Sequence, residues 1–210
     1  LLRSSRSGVI DKSRNAVYSA RERHSSSRFN SLSYPQRCIR DHNYLYIRNF
    51  KPERWPAGPA QKYDLALWSE DGKLIRSKLG APHGAYHDID ACPTLSYLVK
   101  NRDNPKIKRF LNLAVAKRPA EELFDIRKDP GCLVNLADNP KFSTVRKKLS
   151  SQLMNYLKKT GDARVTGKGD VWETYPRVSR LRWFPAPDWA KTNPKLIPNQ
   201  PWLEKRRPGK

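Results

Sequence analysis

Residues 140–161, "PKFSTVRKKLSSQLMNYLKKTG", carry the strongest pattern in the chain. Phe142, Val145, Leu149, Leu153, Tyr156 and Leu157 recur at three- and four-residue steps, which places them on one stripe of an α-helix. Asn139 stands where an N-cap belongs, Pro140 suits the first turn, and Gly161 suits the left-handed residue that closes a helix. Lys158 and Lys159 oppose the negative end of the helix dipole. The other face shows Arg146, Lys147 and Ser150. Burying an apolar side chain is worth ~1.5–3 kcal/mol, so a helix with this stripe must dock on a complementary surface. The stripe is structural, not a ligand site.

Short alternating segments supply that surface. In "RCIRDHNYLYIRNF" (37–50), Tyr44, Tyr46 and Phe50 alternate with Leu45 and Ile47, the period of two that a half-buried strand requires. Asp41, His42 and Asn43 are turn residues, so the segment reads as a β-hairpin. "EELFDI" (121–126) reads as another strand, with Leu123 on one face and Phe124 partly covered from the other, and "RKDPG" is a turn. The fold class expected is therefore α+β, a small antiparallel sheet packed by a C-terminal amphipathic helix, with long ordered loops. Between 51 and 92, "KPERWPAGPAQ" and "LGAPHGAYHDIDACP" hold too much Pro and Gly for long elements. A short helix is predicted from Pro93, with Leu95, Leu98 and Val99 on one face. Another is predicted over 105–115, capped by Asn104, with Ile107, Phe110, Leu111 and Ala114 facing inward. Residues 162–210 are rich in Pro, Trp and basic side chains and are expected to wrap over the domain.

With 37% apolar residues and 17 prolines in 210 positions, the core should be modest. No apolar run approaches the ~18 residues of a membrane span. The opening "LLRSSRSGVIDKSR" shows no apolar export signal and does not begin with Met. Forty-two Lys and Arg against 20 Asp and Glu leave +22, which attracts polyanions: nucleic acid, anionic lipid or sulfated sugar. The basic residues are spread along the chain rather than gathered in one dense block, so nucleic acid is the less favoured of these. Cys38, Cys92 and Cys132 form no Cys-x-x-Cys pair, and their odd number argues against a disulfide framework.

The stretch "RPAEELFDIRKDPGCLVNLA" (118–137) resembles a signature near the C-terminus of the sulfatase family: a strand with Glu-Leu-Tyr-Asp-Leu, then Asp-Pro, then Asn-Leu before the final helix. The matching residues are Glu122, Leu123, Phe124, Asp125, Ile126, Asp129, Pro130, Asn135 and Leu136. Phe124 replaces the usual Tyr, and Gly131-Cys132 stands where an acidic residue is common. "ERHSSSR" (22–28), "YPQRCIRDHNYLYIRNFKPERWPAG" (34–58) and "YHDIDACPT" (86–94) resemble the heparan N-sulfatase branch, the N-sulfoglucosamine sulfohydrolases. The resemblance implies the C-terminal subdomain of an alkaline-phosphatase-like α/β fold. Residues 1–36 would be a linker from a missing N-terminal catalytic domain, 37–161 the subdomain, and 162–210 a wrapping tail. It also implies a sulfated glucosamine saccharide as substrate. Calcium and a formylglycine made in a Cys-x-Pro-x-Arg context belong to the complete family enzymes, which are exported, periplasmic, extracellular or lysosomal.

None of that machinery is expected in this chain. Cys38 is followed by "IRDH", Cys92 by "PTLS" and Cys132 by "LVNL"; at Cys92 the Pro comes one position early and the Arg is absent. Asp88 and Asp90, near His83 and His87, are too few convergent oxygens for a hard-metal cage and suit capping of the following helix. No metal site and no catalytic residue are therefore assigned. The binding candidates are Arg23, His24 and Arg28, whose cations match sulfate and carboxylate, with Glu22 to orient one of them or to bind a hydroxyl. A loop pinned by Arg-to-backbone bonds is the competing structural role. The expected function is the C-terminal part of a sulfatase acting on N-sulfated glucosamine, inactive alone. The alternative is a basic polyanion-binding module without catalysis.

Overall fold

The computed structural model describes residues 8 and 14–206, apart from 72 and 179. Four strands form one antiparallel sheet in the order β1-β2-β3-β6: β1 (Val17–Arg21), β2 (Gln36–Arg40), β3 (Tyr44–Asn49) and β6 (Glu121–Asp125). The predicted hairpin is β2–β3, with Ile39 opposite Tyr46. Asp41 makes its turn: its Oδ1 accepts from the N–H groups of Asn43 and Tyr44, both at 2.7 Å. Leu123 of β6 lies opposite Tyr46 and completes a buried row.

Helix α3 (Ser143–Lys159) covers that row. Leu149, Leu153 and Leu157 pack with Ile39, Tyr46 and Leu123 into one cluster, edged by Phe142, Val145 and Leu136. Its start differs from the expectation: the Asn139 side chain accepts from Lys141 N–H at 3.0 Å but caps a single 3₁₀ turn (Pro140–Phe142), and the α-helix begins at Ser143 without a side-chain cap of its own. The other end closes as expected, Gly161 having φ +71°. Tyr156 is less covered than its partners in the stripe, stacking on Tyr18 of β1 at 3.7 Å. The Tyr46 hydroxyl donates to Glu121 and hydrogen-bonds with the Ser150 hydroxyl, tying the sheet to the helix.

Helices α1 (Pro93–Lys100) and α2 (Pro105–Val115) form at the predicted places and pack on Ala57 and Tyr86. Asn104 caps α2 through Lys106 N–H at 3.0 Å. The inward face of α2 departs from the expectation at Phe110: Leu111 is buried and Ala114 packs on the cluster as expected, Val115 joins them, and Phe110 is 44% exposed with the Arg109 guanidinium over its ring at 5.1 Å. A second hairpin, β4 (Tyr63–Trp68) with β5 (Leu74–Leu79), stands within the segment read as loop. Strand β5 is exposed throughout, so it carries no inside–outside alternation to read. The sheet also begins earlier than expected, at Val17, in a segment whose polarity reads as loop.

Described residues beyond Gly161 meet the body at several points. Three short helices, α4 (Val171–Thr174), α5 (Asp188–Thr192) and α6 (Pro201–Glu204), punctuate an otherwise irregular path. The carbonyl of Trp183 accepts from Tyr63 N–H at 2.8 Å, and its indole lies against Trp68. Gln200 Nε2 donates to the Asn30 carbonyl at 3.0 Å. Among the described residues, no helix is long and apolar enough to cross a membrane.

Candidate functional site

The loop between β1 and β2 holds Glu22, Arg23, His24 and Arg28, and the fold organises it around two buried carboxylates that are distant in sequence. Asp88 is the first. Its side chain is almost fully covered and accepts from Arg21 at 2.7 Å, Arg28, Ser25 N–H at 3.2 Å, Ser25 Oγ at 3.1 Å and Ser27 Oγ at 2.9 Å. Ser25 and Ser27 of "HSSSR" make this possible, because short hydroxyls can turn inward on one carboxylate. Burial alone would raise the Asp88 pKa. Arg28, Arg21 and the Ser27 hydroxyl outweigh it, and the carboxyl is held below the usual range.

Arg28 is pinned at every nitrogen. Its Nε donates to the Trp55 carbonyl at 2.6 Å, one terminal nitrogen to the Pro56 carbonyl at 2.6 Å and to Asp88, and the other to the Leu32 carbonyl at 3.5 Å. Burial lowers its pKa, with Asp88 opposing. The 54–58 turn reaches this close because residue 58 is glycine: it has φ +82°, and a Cβ there would lie 2.5 Å from the Ser27 carbonyl oxygen.

Glu173 of α4 is the second carboxylate, fully buried. It accepts from Arg23 at 2.9 Å, Arg54 at 2.7 Å, Ser33 Oγ at 2.6 Å and Ser33 N–H at 3.2 Å. Burial pushes its pKa up, but Arg54, the Ser33 hydroxyl and Arg23 bring it below the usual value. Glu22 belongs to an adjoining network: it accepts from Arg37 at 2.5 Å and Arg164 at 2.7 Å, and Arg37 also donates to Asp162 at 2.6 Å.

The four sequence candidates thus share one loop but not one environment. Arg23, Arg28 and Glu22 are engaged with internal partners, whereas the His24 side chain is 55% exposed, its Nδ1 3.6 Å from Asp88. Arg21 is 38% exposed beside it. Below the loop lies an apolar cavity of about 140 Å³, lined by Phe29, Leu32, Trp55 and Trp189 among others. That is well short of the ~300 Å³ at which small-molecule pockets begin. Sequence reasoning missed Asp88 as the loop's anchor, and it missed Glu173, Arg54 and Arg164 altogether; these are pairings across 60 to 150 residues, for which local pattern gives no signal.

In the "HDID" segment the Asp88 oxygens are occupied by guanidinium and hydroxyl donors. His83 Nδ1 pairs with the Tyr86 hydroxyl at 2.7 Å, and His87 packs on Phe184. Among the described residues no group of three His, Cys, Asp or Glu could hold a metal. The cap of α1 is Cys92, whose Sγ accepts from Leu95 N–H at 3.4 Å, so the expected Asp cap is not formed. All three thiols are free.

No protein-family model matches the chain. Two curated proteins of Formosa agariphila, each named an ulvan-active sulfatase, are similar to it. One is 26% identical over 148 residues, 70% of this chain and 22% of that protein. The other is 26% identical over 156 residues, 72% of this chain and 20% of its own length. The chain therefore spans about a fifth of the length of the curated relatives it matches. Over the matched region the chain is similar to sulfatases, and its α+β architecture is compatible with a sulfatase C-terminal subdomain.

Proposed function

We propose that this chain forms the C-terminal part of a sulfatase, and that the 22–28 loop borders the pocket for a sulfated saccharide, with N-sulfated glucosamine as the substrate class. One observation carries the proposal: Asp88 and Glu173 fix a cationic loop in place while leaving the His24 imidazole at the surface. Structural arginines of this kind preorganise a site, so the ligand meets a group already held in position. In this scheme His24 touches the anionic sugar, and Arg23, Arg28 and Glu22 position it. The donor set of the described residues does not fit calcium, and none of the three cysteines lies in a Cys-x-Pro-x-Arg segment. The metal and the formylglycine of the complete enzyme would come from a catalytic domain outside these residues, and that domain is the partner proposed.

The test is a titration of the purified chain with glucosamine N-sulfate, unsulfated glucosamine and ulvan oligosaccharides, followed by NMR shifts of the 22–28 amides. Binding that requires the N-sulfate and is lost in His24→Ala is the expected result, with no sulfate released by the chain alone. Shifts indifferent to sulfation or to His24 would refute the proposal, and a preference for ulvan would replace its substrate. The net charge of +22 favours a second reading as a general polyanion binder, which predicts equal, salt-sensitive binding of duplex DNA.

A further inference from the structure

Both carboxylates behind the 21–28 loop are spent internally, yet the tail brings more positive charge to the same face. Arg182 is anchored there by its backbone N–H, which donates to Ser26 Oγ at 3.1 Å, and its side chain is exposed. No carboxylate among the described residues pairs with it in an ion bridge of 4 Å or less. Its charge reaches inward. The His87 pKa is lowered by burial, then by Arg182 and Lys62. The Arg177 pKa is lowered by burial, then by Arg23 and Arg182, with Asp88 opposing. Arg177 is half-buried, and its carbonyl accepts from Arg206, a later residue of the tail, at 2.9 Å. An exposed guanidinium anchored on the loop and without a carboxylate ion bridge is open to an arriving anion. The planar fork of an exposed Arg suits a carboxylate or sulfate, which it meets through two parallel N–H donors.

We propose that Arg182 binds a second acidic group of the saccharide, a carboxylate or a further sulfate, next to the group that meets His24. This rests on the reading of the 22–28 loop as the sugar-binding rim. The site therefore selects saccharides with two acidic groups over those with one.

Three probes test this on the purified chain at physiological salt: glucosamine N-sulfate, glucosamine N,6-disulfate, and a uronate-linked N-sulfoglucosamine disaccharide. At least one dianion should bind about fivefold more tightly than the monoanion, the discrimination of a single charge-assisted pair at an exposed site. Arg182→Gln should bring the dianions down to the monoanion's level, and Arg182→Lys, which keeps the charge but not the fork, should retain part of the preference. Because Arg182 is exposed, the urea midpoint of both variants should match that of the unaltered chain. Equal binding of all three probes by the unaltered chain, or a preference that survives in Arg182→Gln, overturns the inference while leaving the His24 rim intact. Failure of every probe to bind overturns the rim and the inference together. Duplex DNA competing as well as the dianions overturns saccharide selection in favour of a general polyanion face.

Discussion

Replacing Glu173 by Gln isolates the cost of removing one charge from the interior. The carboxylate is fully buried and receives Arg23 at 2.9 Å, Arg54 at 2.7 Å and two donors from Ser33. The amide has nearly the same shape, so packing is preserved. What changes is that two guanidinium groups, both largely covered, lose their counterion, and one acceptor oxygen becomes an NH₂ facing their donors. Breaking a buried ion pair from one side costs ~3–5 kcal/mol. Since the amide keeps one acceptor, the expected loss is at the lower end, ~3 kcal/mol. For a chain of this length that corresponds to a fall in Tm of about 6–12 °C. Urea denaturation followed by tryptophan fluorescence measures it, with the slope m checked for constancy. The pH dependence gives an independent sign. The Glu173 pKa when folded lies below its ordinary value near 4.5, so the folded state binds fewer protons there. Its contribution is complete above that pH and disappears as pH falls through the folded value. The variant should therefore lose stability at pH 7 and show a shallower acid limb, with Asp88 and Asp162 supplying what remains. A change below 0.5 kcal/mol at pH 7 with an unaltered acid limb would refute the idea that this carboxylate holds the loop.

Two further substitutions probe the frame. Leu153→Ala removes a fully buried side chain from the sheet–helix cluster and should cost ~2–5 kcal/mol by chemical denaturation; a loss under 1 kcal/mol would mean the helix is not seated on the sheet. Gly58→Ala forces a Cβ to 2.5 Å from the Ser27 carbonyl oxygen at φ +82°, so ~1–3 kcal/mol of destabilisation should be accompanied by displaced amide resonances across residues 24–28. Resonances left in place would show that the turn does not set the loop.

Helix α3 was legible because its pattern is long, its caps are local, and its stripe answers one flat surface. The β2–β3 hairpin was legible for the same reason, since Asp41 closes its own turn. The β4–β5 ribbon was not, because both faces of β5 meet solvent and nothing enforces alternation, although Asp71-Gly72 is a hairpin dipeptide. Strand β1 is hidden likewise, because Tyr18 packs on the core while Val17, Ser19 and Ala20 are exposed, too little alternation to read. In the candidate site, the 22–28 motif could be picked out from its cations. Which of them turn inward could not, because that depends on carboxylates at 88 and 173 that only the folded chain brings near.

The position of Glu173 also bears on where this molecule may be divided. Gly161 looks like a terminus, since it ends the longest helix and opens a proline-rich stretch. Severing the polypeptide there would strip Arg23 and Arg54 of Glu173, Arg37 of Asp162, and Glu22 of Arg164. Those orphaned ions sit in the middle of the protein. The seam drawn by helix periodicity is thus crossed by the protein's buried ion pairs, and a cut there divides charges that the fold has matched.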